Sequence, residues 1–134
     1  MSAIHAPPKA VLIANRGEIA LRIIRTAAES GYRTIAVYAT DDVDSPHLRA
    51  ADNAIALSGA GPAGYLDQDA VLAAAKESGA VLIHPGYGFL SENPTFARAV
   101  AAAGRIFVGP DPGLLDTFGD KSAARAAAIA AGLP

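Results

Sequence analysis

"AVLIANRGEIALRIIRTAAES", Ala10 to Ser30, passes from a wholly apolar run to a helix-period segment across one short turn. The run Ala10–Ala14 is ended by the breaker Asn15-Arg16-Gly17, which is the pattern of a strand buried on both faces. Behind the turn, Glu18 to Ser30 has helical periodicity. Ile19, Ile23, Ile24 and Ala27 share one face, while Glu18, Arg22, Arg25 and Glu29 mark the other. Glu18–Arg22 and Arg25–Glu29 are i,i+4 spacings of opposite sign, and Gly31 is a natural helix stop.

The same unit repeats outward from this stretch. Thr34–Tyr38 reads as a second strand, and Ser45 with Pro46 as the N-cap and first position of a short helix. Ala54–Leu57 is a brief third strand, followed by a Gly/Pro-rich loop, "SGAGPAGY", and a helix from Asp67 to Ser78 ended by Gly79. Ala80–His84 is the fourth strand, Asn93-Pro94 caps a helix running to Ala103, and Ile106–Val108 is the fifth strand. A short helical turn is expected at Asp111-Pro112, and an Ala-rich helix from Asp120 to Ala131. Five alternations of strand and helix require crossover connections, hence an α/β, Rossmann-like parallel sheet with helices on both faces. The expected organisation is a flexible leader over 1–9, one domain over 10–118, and a linker helix over 119–134.

Composition narrows the class. The chain has 134 residues, of which 51% are hydrophobic and 18% charged, enough for one domain with a real core. Its formal net charge of −2 and its dispersed Lys and Arg argue against a nucleic-acid binder. There is no cysteine, which excludes disulfides and thiolate metal sites and fits a reducing compartment. No apolar run approaches the roughly 20 residues of a membrane span. "MSAIHAPPKA" lacks the layout of a secretory signal, so a cytoplasmic protein without membrane contact is expected.

Four places could carry chemistry. The turn at Asn15–Glu18 sits where dinucleotide phosphates bind, yet it has one Gly instead of G-x-G-x-x-G and a carboxylate near the helix N-terminus. It reads as architecture, which disfavours an NAD oxidoreductase. Arg22 and Arg25 are either a solvated face or an interface. "HPGYGFLSEN", His84–Asn93, lies at the carboxyl end of a predicted parallel strand, where open α/β sheets bind ligands. Gly86 and Gly88 allow close backbone approach beside the flat ring of Tyr87; alternatively, the loop tucks Tyr and Phe into the core. No second His or acid at useful spacing supports His84 as a base or metal ligand. In "GDK", Asp120 can cap the last helix while Lys121 lies in its first turn, a cation opposed by the helix dipole unless an anion joins it.

In order and spacing, "VLIANRGEIALRIIRTA", "HPGYGFLSENPTFA", "FVGP" and "GDKSAAR" resemble the N-terminal domain of biotin carboxylases. These are the ATP-dependent parts of acyl-CoA and related carboxylases, and the resemblance runs from Lys9 to Pro134. Phe89 looks more like acyl-CoA carboxylases than pyruvate carboxylases, which tend to have Leu there.

The resemblance implies a reaction of MgATP, bicarbonate and carrier-borne biotin, giving carboxybiotin, ADP and phosphate, in fatty acid metabolism. It implies ATP, Mg and biotin as cofactors, with Mg ligands and acid/base groups downstream in an ATP-grasp domain and no catalytic residue or metal ligand in this chain. Lys121 matches a lysine that contacts ATP phosphate. Tyr87 and Gly88 match the loop on the biotin and bicarbonate side, and Arg22 a position facing a dimer partner. A biotin carboxyl carrier domain, a carboxyltransferase component and a homodimer are the implied partners. Phe118 stands where Met is usual, and "SGAGPAGY" is an unusually small-residue loop. The alternative is a stand-alone binding or assembly module that keeps the fold without chemistry.

Overall fold

In a computed structural model, described here over residues 7–132, the five apolar runs form β1 (Ala10–Ile13), β2 (Arg33–Tyr38), β3 (Asn53–Ala56), β4 (Leu82–His84) and β5 (Ile106–Phe107). The expected leader lies mostly outside the described residues. All strand pairs are parallel, in the order β3-β2-β1-β4-β5. Among the described residues, five helices fill the connections, α1 (Gly17–Glu29), α2 (Pro46–Ala50), α3 (Gly61–Tyr65), α4 (Gln68–Ser78) and α5 (Pro94–Ala102), and two follow β5, α6 (Pro112–Gly119) and α7 (Lys121–Ala130).

Alternation along the strands divides the core in two. Leu12, Ala14, Ile35, Val37 and Ile83 face one way and meet Tyr65, Val71, Ala75, Phe96 and Val100 from α3, α4 and α5. Val11, Ile13 and Ala36 face the other way and meet Ala20 and Ile24 of α1. Side chains of period two on a doubly covered sheet produce this split, as expected for an α/β Rossmann-like domain. The helices start and stop largely on local chemistry. The side chains of Asp67, Asn93 and Asp120 accept backbone N–H bonds at the starts of α4, α5 and α7, and Gly79 ends α4 at φ 71°.

Three expectations are corrected. "SGAGPAGY" is not all loop, because α3 forms within it: the Asp41 carboxylate accepts from Gly61 N–H, and Gly64 packs against Gly59 and Ala39 too closely for any side chain. The turn at Asp111-Pro112 extends into the eight-residue α6, since Asp111 accepts from Gly113 N–H and buried Leu115 anchors the helix. The two i,i+4 pairs on α1 do not form; the ion pairs found among the described residues are Arg16–Asp42 and Arg98–Asp116. Exposed pairs of that kind gain little over solvation, so their absence costs little.

Candidate functional site

The sheet order reverses direction between β1 and β4, so α1 leaves toward one face and α5 toward the other. The loops after β1 and β4 therefore come together at the carboxyl ends of their strands, the usual ligand position in open α/β sheets, and here they are in direct contact. The first loop is Ala14-Asn15-Arg16, and the second is Pro85–Gly88 of the "HPGYGF" motif.

The two loops are joined by one buried side chain. Asn15 is 1% exposed. Its amide Nδ2 donates to the carbonyls of Pro85 at 2.8 Å and Tyr87 at 2.7 Å, while its Oδ1 accepts from Arg16 N–H at 2.8 Å. Gly86, at φ 66°, lies directly over the amide. His84 Nδ1 accepts from Gly86 N–H at 3.0 Å, so this nitrogen is the unprotonated one. Burial holds the His84 pKa below its usual value, which keeps that acceptor available.

A second cluster braces the far end of the loop. Arg16 binds Asp42 through two nitrogens, Nε to Oδ2 at 2.7 Å and Nη2 to Oδ1 at 2.9 Å, and Tyr65 Oη donates to Asp42 Oδ2 at 2.6 Å. The Arg16 bond, then the Tyr65 bond, bring the Asp42 pKa down to about 2. Burial, then the bond to Asp42, push the Tyr65 phenol up to about 12. The Tyr65 ring also packs against Phe89, centroids 5.3 Å apart, and Phe89 takes the left-handed φ of 44°. A bulky residue at that φ persists only where its surroundings hold it.

Tyr65→Phe is accordingly expected to cost about 1.5–3 kcal/mol, the loss of a hydrogen bond to a charged partner. It should also remove part of the alkaline stability slope. The raised folded value means that Tyr65 favours folding below about pH 10 and loses that contribution as pH rises toward about 12. Urea unfolding of both proteins between pH 9 and about 12 checks this, and parallel curves for the two would reject it.

The site residues expected from sequence divide into two places. Tyr87 is 77% exposed and stands on the rim of a groove of about 520 Å³, together with Arg22, Glu18 and His84. Val11, Ile19, Ile23 and Leu82 make its apolar floor. Gly88 follows Tyr87 at φ 69° with open space around it. Of the two readings of the loop, each aromatic takes one: Tyr87 faces out and Phe89 packs inward. Lys121 is elsewhere, exposed at the first position of α7, whose N–H groups at Ser122 and Ala123 are already capped by Asp120. Asn15, Asp42 and Tyr65 carried no local signal of their roles, because their partners lie 23 to 72 residues away. Among the described residues, no three His, Asp or Glu side chains gather as a metal site, and no helix is long and apolar enough to cross a membrane.

Comparison with known proteins agrees with this fold. The family described as biotin carboxylase, N-terminal domain, matches residues 7–115. A putative urea carboxylase of Emericella nidulans is 53% identical over 94% of this chain and 10% of its own length. A biotin carboxylase of Halalkalibacterium halodurans is 52% identical over 94% of this chain and 28% of its own. Among solved structures, a single-chain, multi-domain long-chain acyl-CoA carboxylase superposes with a TM-score of 0.91 and 65% identity, covering 93% of this chain and 13% of that one. The chain thus spans less than a third of each of these relatives.

Proposed function

Since the chain belongs to the biotin carboxylase N-terminal domain family, we propose that it forms the biotin-side wall of an ATP-dependent biotin carboxylase within an acyl-CoA carboxylase. The observation that carries this reading is the Pro85–Gly88 loop, held at the sheet's switch point with the Tyr87 ring exposed. A flat ureido ring suits that place: an aromatic face lies beside backbone that glycine keeps free of side chains.

The enzyme converts MgATP, bicarbonate and carrier-borne biotin to carboxybiotin, ADP and phosphate. Tyr87 and Gly88 position biotin, and Lys121 contacts ATP phosphate. Magnesium and the acid/base chemistry fall to residues of the longer protein, which residues 119–134 lead toward as a linker. That α7 buries none of its side chains, and that Leu114, Phe118 and Ile129 are exposed, fits a surface covered by such a domain. Arg22, on the rim of the apolar groove, faces a second copy in a homodimer. Carrier and carboxyltransferase components complete the assembly, and a chain without cysteine fits the cytoplasm.

Bicarbonate-dependent ADP release with free biotin tests this. It is expected from a protein continued past Pro134 to the relatives' length, and negligible from this chain alone. Turnover by the chain alone, or none by the longer protein, overturns the reading. In the second case a binding or assembly module takes its place.

A further inference from the structure

We infer that Asn15 is the positioning residue for the biotin-side loop, an inference that rests on the function proposed above. The loop from Pro85 to Gly88 lies beyond the end of β4, and its Pro85 and Tyr87 carbonyls belong to neither strand nor helix. Both turn toward β1 and meet one amide group, at 2.8 and 2.7 Å. A planar amide can satisfy two carbonyls in this way because its nitrogen carries two N–H bonds. The other end of that amide is fixed by Arg16 N–H at 2.8 Å, which settles its orientation.

Burial makes the arrangement effective. At 1% exposure, Asn15 works without competition from water, so its loss leaves two carbonyls unpaired. The two bonded carbonyls, of Pro85 and of Tyr87 itself, flank the Tyr87 Cα along the chain, so the direction of the exposed ring follows from where Asn15 holds the backbone. Asn15 itself does not line the groove; it acts through the loop.

Asn15→Asp is the sharpest test, because it keeps the shape and sets a carboxylate oxygen against two carbonyl oxygens. In the full-length enzyme, amide exchange across residues 86–89 is expected to quicken about tenfold or more, and KM for free biotin to rise about tenfold, with KM for ATP within about twofold of wild type. Val71→Ala, in the core on α4, serves as the control for lost stability alone and should leave the ratio of the two KM values unchanged. Asn15→Ala should show the same pattern more weakly.

Unchanged exchange in the loop overturns the inference. So does faster exchange with no change in KM for biotin, or a parallel rise in both KM values. If the wild-type enzyme has no bicarbonate-dependent turnover, the functional reading fails separately, and the exchange result still decides whether Asn15 holds the loop.

Discussion

Gly86→Ala is expected to destabilise the fold by about 2–4 kcal/mol, and Gly88→Ala, two residues along, by only about 1–2 kcal/mol. Both glycines have left-handed backbone, at φ 66° and 69°, so both substitutions carry the conformational strain of an L-residue there. They differ in what a new Cβ would meet. At Gly86 it would stand 2.7 Å from Asn15 Nδ2, 3.0 Å from Ile19 Cγ2 and 3.1 Å from Asn15 Cγ. Asn15 cannot yield cheaply, since moving its amide breaks the bonds to Pro85 and Tyr87 inside the core. At Gly88 no atom lies within 4 Å. Urea unfolding of the two variants measures the difference directly. Equal costs would mean that the close approach of the two loops has no energetic consequence, and the clamp assigned to Asn15 would lose its support.

How much of this was legible beforehand depends on whether the signal was local. β1 and α1 were readable because an apolar run, a breaker and a 3.6-residue stripe lie within Ala10–Ser30. The caps at Asn93 and Asp120 were readable because an N-cap is a property of three or four consecutive residues, whereas Ser45, expected to cap α2, makes no side-chain cap bond. α3 was missed for the converse reason. Gly61, Pro62 and Gly64 all read as breakers, and what makes them helical is contact with Asp41, Gly59 and Ala39. α6 was underestimated because Gly113 reads as an interruption, although it sits in the first turn, where the Asp111 carboxylate takes its N–H.

The site shows the same division. "NRGE" read as architecture, and "HPGYGF" either as a ligand loop or as a tight loop with its aromatics in the core, each on its own composition. That Asn15 of the first builds the second was not legible, since the bonded groups are 70 and 72 residues apart and Asn in a turn has an ordinary local explanation. Asp42 likewise carried no local signal, although it is the hub that joins Arg16 to Tyr65 and so reaches Phe89. Tertiary bonds of a turn residue leave no trace in periodicity.

On the proposed reading that Lys121 contacts ATP phosphate, Lys121→Ala in a protein of the relatives' length is expected to raise KM for ATP about tenfold to a hundredfold, the loss of one charge-assisted hydrogen bond. Stability should move the other way or hardly at all. Lys121 is exposed, has no ion pair within 4 Å among the described residues, and sits at the positive end of α7. Its ammonium there opposes the helix dipole by about 0.3–1 kcal/mol, and Ala is the better helix former. Asp120 already satisfies the amides of Ser122 and Ala123 at 2.8 and 3.1 Å, so the substitution leaves the cap intact. A residue retained for structure would show the opposite pairing, lost stability with unchanged ATP use. The two measurements, KM for ATP and the urea midpoint of the same variant, therefore separate the roles. An ATP KM equal to wild type, whatever the midpoint, would remove Lys121 from the nucleotide site and leave this chain's part in the enzyme to the loop that Asn15 holds.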